Sequence, residues 1–182
     1  MNVLAVVLVV LVLLVLHAAR SAYRRRHTLQ RRLPDVTDVT QQLGFVSRVA
    51  FERTPLLNKS EFQVFLLLEQ VVRDVGGGHR VMAQTPLGEI LKPKGAGYKE
   101  LDLAFRSINS KRVDFVIVDR AGFAVVGVEY QGHGHFQGTA ALRDAVKREA
   151  FRSAGVPLIE VFAAFDRREV ATRVRAAIAG RG

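Results

Sequence analysis

The chain has no cysteine and no tryptophan among its 182 residues. Without cysteine there is neither a disulfide framework nor a thiolate metal site, which fits a reducing compartment. With only three Tyr, and most of the 11 Phe inside apolar runs, no aromatic stacking platform for single-stranded nucleic acid stands out. Charge is missing from Asn2 to Ala19, and Val3 to Leu16 is an unbroken aliphatic run. At 1.5 Å per residue this stretch spans roughly 25–27 Å, against about 27–30 Å for a bilayer core. Acid is missing from the next segment, where Arg20, Arg24, Arg25, Arg26, Arg31 and Arg32 follow. A secretory signal places its charge before the apolar run, not after it. The positive-inside bias therefore predicts a single-pass transmembrane anchor over 1–19, with the carboxyl-terminal domain in the cytosol. A cleaved signal with an unusual start and a buried core helix are the alternatives.

The net charge of +10 divides unevenly. Six of the 27 basic residues lie in Arg20–Arg32, which leaves +4 for the rest of the chain. The headline charge is thus mostly a juxtamembrane stripe. Its plain role is to set topology and touch anionic lipid; holding nucleic acid is its functional alternative.

The expected organisation is an anchor over 1–19, a basic stripe and tether over 20–55, and an α/β domain over 56–182. Within the tether, Gly44–Phe51 alternates imperfectly and reads as a short strand. Ser60–Val72 reads as a helix, with Ser60 as N-cap, Gln63 completing a capping box, and Phe62, Phe65, Leu66, Glu69 and Val72 at helical spacing. Arg80–Leu87 reads as a strand that Pro86 limits to an edge or an end. A short helical turn in Gly88–Ala96 and a helix over Tyr98–Asn109 follow. Thr139–Ala154 reads as a helix with Ala141, Leu142, Ala145, Ala150 and Phe151 as core, ended by Gly155 and Pro157. A last strand, Leu158–Phe162, and a closing helix, Asp166–Ala179, complete a mixed central sheet with helices on both faces.

The chemistry concentrates between Arg112 and His135. Val113–Val118 and Phe123–Val128 are rich in Val, Ile and Phe and read as strands around the turn Asp119-Arg120-Ala121-Gly122. Charged residues are seldom buried without a partner, yet Asp114 sits inside the first run and Glu129 closes the second. A turn of two or four residues sets Asp114 opposite Gly127, and Gly127, Glu129 and Gln131 then share its face. Two carboxylates and an amide at one sheet end suit a hard divalent cation. An odd-length turn would send the acids to opposite faces. The plain alternative is Asp114 capping a strand or pairing with Arg112 or Lys111, and Glu129 as a solvated strand end.

After Glu129 the chain reads Glu129-Tyr130-Gln131-Gly132-His133-Gly134-His135, then Arg143-Asp144-x-x-Lys147 on a helix, then Ala154-Gly155-Val156-Pro157 before the last strand. This order resembles the PD-(D/E)XK, restriction-endonuclease-like superfamily, near its very-short-patch-repair endonuclease branch. It is similar in particular to a bacterial family known as domain of unknown function 2726, whose L-L-x-x-x-E start stands here as Leu56-Leu57-Asn58-Lys59-Ser60-Glu61. The likeness covers Leu56 to about Phe162. It implies a Mg²⁺-dependent nuclease-like domain acting on nucleic acid, DNA more than RNA, with no small-molecule cofactor. Asp114 and Glu129 would hold the metal, with Glu61 as a further acid on the first helix. Gln131 stands where the superfamily usually has Lys and this branch an acid, and it would orient water. Lys147 or Arg143 would supply the positive charge that Gln131 lacks, binding substrate together with Gly132. His135 would contact phosphate or carry a proton, while His133 matches no fixed position.

Together with the anchor, these features predict a nuclease-like domain at the bacterial inner membrane, touching lipid through the first helix and the arginine stripe. Gln131 keeps a second reading open, a catalytically inactive fold that binds nucleic acid or protein. A third is a domain that mediates assembly alone.

Overall fold

Four segments pair into one sheet: β1 (Arg80–Pro86), β2 (Arg112–Val118), β3 (Ala124–Gln131) and β4 (Leu158–Phe162), of which β2–β4 are rich in β-branched and aromatic residues. Their order is β1-β2-β3-β4; the first two pairings are antiparallel and the last is parallel. A parallel step needs a crossover, and the helix α6 (Thr139–Ser153) lies within it. The computed structural model describes residues 3–30, 36–95, 97–132 and 139–180, with side chains described for all of these save 3–10, 25–30, 139–141 and 143. The chain forms two compact units, Met1–Arg53 and Thr54–Gly182.

The first unit holds α1 (Val3–Gln30) and α2 (Val39–Val46). Among the described residues no helix is long and apolar enough to cross a membrane. Length is not the limit in α1. Its second half carries Arg20, Arg24, Arg25 and Arg26. The expected transmembrane anchor over 1–19, and the single-pass inner-membrane location drawn from it, are corrected accordingly. Of the arginine stripe, Arg31 and Arg32 lie outside the described residues. The short strand expected over Gly44–Phe51 is also corrected, because α2 ends there at Val46. Val39, Leu43 and Val46 recur at helical spacing, and Asp38 caps the helix by accepting from the Thr40 N–H at 2.9 Å.

In the second unit, α3 (Lys59–Val75) and α7 (Arg167–Ala179) cover one face of the sheet. On the other lie α4 (Leu87–Ile90), α5 (Tyr98–Asn109) and α6. The first face buries Val64, Leu67, Leu68 and Val71 of α3 against Phe115, Ile117, Val126 and Val128. Of the residues read at helical spacing, Phe62 and Leu66 are exposed, whereas Val72 is buried and Phe65 packs against the core. Val64, Leu67, Leu68 and Val71 recur at i, i+3, i+4 and i+7, and this stripe meets the sheet. Its N-cap is Asn58 rather than Ser60: the Asn58 side chain accepts from the N–H groups of Ser60 and Glu61, both at 2.9 Å. Glu61 returns the bond through the Asn58 N–H at 2.9 Å, so Glu61 and not Gln63 closes the capping box.

On the second face Phe151 is fully buried, whereas Leu142 and Ala145, expected in the core, are exposed. Both line an apolar groove between α5 and α6 with Leu101 and Ala104. Gly127 lets α6 come down on the sheet. A Cβ there would stand 2.7 and 2.8 Å from the Phe151 ring and 2.9 Å from Leu158 Cδ1. Glycine is thus the side chain that leaves room for Phe151 on β3.

Gly127→Ala should destabilise the protein by about 1–3 kcal/mol through overpacking. Phe151→Leu in the same chain should recover part of that loss, because a smaller side chain yields to the added methyl. Urea unfolding of both variants tests this. A Gly127→Ala midpoint equal to wild type would show that α6 does not depend on the close approach.

Candidate functional site

Asp114 and Glu129 meet because of one extra residue in β3. The loop between β2 and β3 spans 119–123, since Val118 pairs with Ala124. Asp119 organises it: its Oδ1 accepts from the N–H groups of Ala121 at 2.8 Å and Phe123 at 2.9 Å, and Gly122 takes φ +87°. This loop is odd in length. Counted straight through, it would place Asp114 opposite Val128 and turn Glu129 to the other face. A bulge at Val125 intervenes, so Ile117 pairs with Val126, Val116 with Gly127 and Phe115 with Val128. The next step of that register sets Asp114 opposite Glu129. The expected partner of Asp114, Gly127, is therefore displaced by two residues, which leaves the facing direction unchanged.

Both carboxylates lie on the α6 face of the sheet, in a cleft of about 350 Å³ lined also by Glu61, Ser110, Lys111, Arg112, Tyr130, Gln131, Asp144 and Lys147. Asp114 Oδ2 accepts from the Tyr130 N–H at 2.8 Å, which ties the end of β2 to β3. Glu129 is only 5 % exposed, and Lys147 Nζ donates to its Oε1 at 2.8 Å. Lys147 precedes Phe151 by one helical turn, and Glu129 follows Gly127 by two strand positions on the same face. The seat of Phe151 on Gly127 therefore sets the height at which Lys147 meets Glu129.

Burial dominates the titration of both acids. The Glu129 carboxyl is pushed up to about 7 by loss of water, then by the nearby Asp114 charge, and Lys147 only partly offsets this. Asp114 is also raised, first by burial. The Tyr130 N–H and Lys147 pull it down, and Glu61 pushes it up.

The other expected site residues fall differently. Gln131 ends β3 and Gly132 follows it, both partly buried. Glu61 lines the cleft, but one of its oxygens is engaged in the helix cap. Arg143 lies on α6 with its side chain outside the described residues, and His133, Gly134 and His135 lie outside them altogether. Asp144 was expected on the next helix face over, and it lines the cleft 3.7 Å from Lys147 Nζ. Its i,i+3 spacing to Lys147 was the available signal. Lys111 and Arg112, read only as pairing partners for Asp114, join Lys147 as the basic part of the lining. Among the described residues no group of three His, Cys, Asp or Glu is placed to hold a metal ion.

Fold and site together define a mixed α/β domain with a buried and a half-buried acid answered by one helical lysine. Residues 53–180 match the family described as a protein of unknown function, DUF2726, and the chain belongs to that family. An uncharacterized protein of Haemophilus influenzae is 40% identical over 161 residues, covering 85% of this chain and 82% of its own. Uncharacterized protein y4bI of Sinorhizobium fredii is 45% identical over 113 residues, 62% of this chain and 78% of its own. No solved structure matches the chain.

The raised Glu129 carboxyl has a stability consequence whose sign is fixed. A carboxyl that holds its proton more tightly when folded contributes stability below its ordinary value of 4.5 and loses it as pH rises to about 7. The melting temperature of wild type should thus fall relative to Glu129→Gln between those limits. Parallel melting curves across that interval would contradict the burial of a titrating Glu129.

Proposed function

We propose that the second unit is a nuclease-like domain that hydrolyses phosphodiester bonds of nucleic acid with Mg²⁺, DNA more than RNA, and that it is a PD-(D/E)XK-type domain. One observation carries the reading. Glu129 is buried with the half-buried Asp114 beside it, and a single ammonium lies 2.8 Å from Glu129. Two adjacent carboxylates withdrawn from water cost stability. Perturbed acids in a cleft are where catalytic chemistry concentrates. The motif order Asp114, Glu129-x-Gln131-Gly132, Arg143-Asp144 and Lys147 supports the superfamily placement.

The donor set fits Mg²⁺ of a particular kind. This ion is held by one or two carboxylates, completed by waters and substrate phosphate rather than a protein cage. Asp114 and Glu129 are those carboxylates; Glu61 is not required as a third, which agrees with its role in the helix cap. When bound, Mg²⁺ lowers the pKa of a coordinated water and neutralises phosphate. Charge in the cleft is matched to that state. Its lining carries four carboxylates (Glu61, Asp114, Glu129, Asp144) against three cations (Lys111, Arg112, Lys147), a formal charge of −1 when all are ionised. A dication takes this to +1, which one phosphodiester cancels. Lys147 supplies the cation that Gln131 lacks and stands beside the reacting phosphate. Gln131 orients water through its amide, and Lys111 and Arg112 hold the backbone on the rim.

A second reading is favoured by the same ion pair. Lys147 already neutralises Glu129, and Gln131 is a poor base, so the domain would bind nucleic acid or protein without cutting it.

Cleavage of a nucleic-acid panel by the purified chain, with and without Mg²⁺, separates the two. Under the first reading Asp114→Ala abolishes Mg²⁺-dependent cleavage and leaves affinity nearly intact, since the metal acts mainly in the transition state. Lys147→Ala weakens binding and reduces its salt dependence by about one charge. A wild-type chain that binds at low salt with Mg²⁺ but never cuts establishes the binding module. One that does neither overturns both.

A further inference from the structure

Lys147 is held between two carboxylates at unequal distances. Its Nζ is 2.8 Å from Glu129 Oε1 and 3.7 Å from Asp144 Oδ1. Its side chain is only 16% exposed, and that of Asp144 25%. An ammonium this enclosed keeps a carboxylate partner wherever it goes, because an unpaired buried charge is costly. Glu129 cannot give both its oxygens fully to a metal while Lys147 occupies Oε1. The separation to Asp144 exceeds a charged hydrogen bond of about 2.8 Å by less than 1 Å. Asp144 lies one helical turn before Lys147 on α6, so the ammonium can change partners by side-chain rotation alone, without moving the helix.

We propose that Asp144 is a positioning residue, the alternate acceptor onto which Lys147 moves when a divalent cation engages Asp114 and Glu129. The proposal rests on the metal-binding reading above and adds a device to it. In the metal-free cleft Lys147 occupies Glu129 and stands in for the cation. On loading, Asp144 takes the ammonium, keeps it at the cleft wall, and leaves it able to meet the phosphate that arrives with the metal. Asp144 acts through Lys147 and is not itself a ligand.

Calorimetric titration of the full chain with Mn²⁺ alone, without nucleic acid, tests this. Asp144→Asn should weaken Mn²⁺ binding by about tenfold, the usual scale for losing a residue that supports a ligand. Asp144→Glu should restore most of the affinity. In a Lys147→Met chain the Asp144→Asn effect should vanish, because no ammonium needs a new partner. Urea unfolding of each variant confirms that it is folded. Failures are distinguishable. A wild-type chain that binds no Mn²⁺ overturns the metal reading and this proposal with it. Wild type and Asp144→Asn binding equally overturns the role of Asp144 and leaves the metal reading standing. An undiminished Asp144→Asn loss in the Lys147→Met chain would make Asp144 a direct ligand, which also overturns the proposal.

Discussion

The contact between Phe151 and Gly127 is the constraint on which the site depends. The ring sits where any side chain on residue 127 would stand, 2.7 Å from the nearest ring atom. It is completely buried. Interiors pack too tightly to accept a shift of even a methyl group without cost, so this seat holds α6 at one height above β3. The helix end is held too. The Val156 N–H reaches back to the Phe151 carbonyl at 2.9 Å, and Gly155 takes φ +65° to allow it. One turn earlier on the same helix face, Lys147 is thereby delivered to Glu129.

What is delivered there is expensive. A buried ion pair seldom repays the cost of stripping both ions of water, and here a second carboxylate, Asp114, adds repulsion. The pair is consequently a poor device for stability and a good one for holding a site in tension. Its acids are drawn toward protonation and its lysine has a second carboxylate close by. Such a cleft gains by accepting positive charge. The ordinary ion pairs of the domain contrast with it: Arg148–Glu160 at 2.9 Å and Arg175–Asp74 at 3.1 Å have partners between 30% and 52% exposed, and pairs of that kind contribute little.

The sheet edges are closed by simple means. β1 ends in Pro86, which has no N–H to offer, and Gln84 within it takes φ +50°. That departure from extended geometry falls between the pairs Ala83–Phe115 and Thr85–Val113, at the level of Asp114. An interrupted edge is a weak template for further strand pairing. At the opposite edge, Arg173 of α7 donates to the Glu160 carbonyl of β4 at 3.4 Å.

Much of the second unit was legible in the sequence because the signals are local. Tyr98–Asn109 and Leu158–Phe162 stand with the limits read from periodicity, since helical spacing and β-branched runs act over a few residues. The acids Asp114 and Glu129 stood out for the same reason, as charges within apolar runs. Register was not legible: the five-residue loop and the Val125 bulge are each a one-residue matter, and only their combination returns the two acids to one face. Nor was the inward face of α3, where one apolar spacing runs through Phe62 and Leu66 and another through Val64, Leu67, Leu68 and Val71, and the sheet took the second. Asp144 joined the cleft only when Phe151 found its place on Gly127, two residues far apart in sequence. Local pattern determined which residues form strands and helices and which charges are out of place. Tertiary packing decided which charges meet, because a contact between distant segments is set by the shapes of both and is encoded in neither alone.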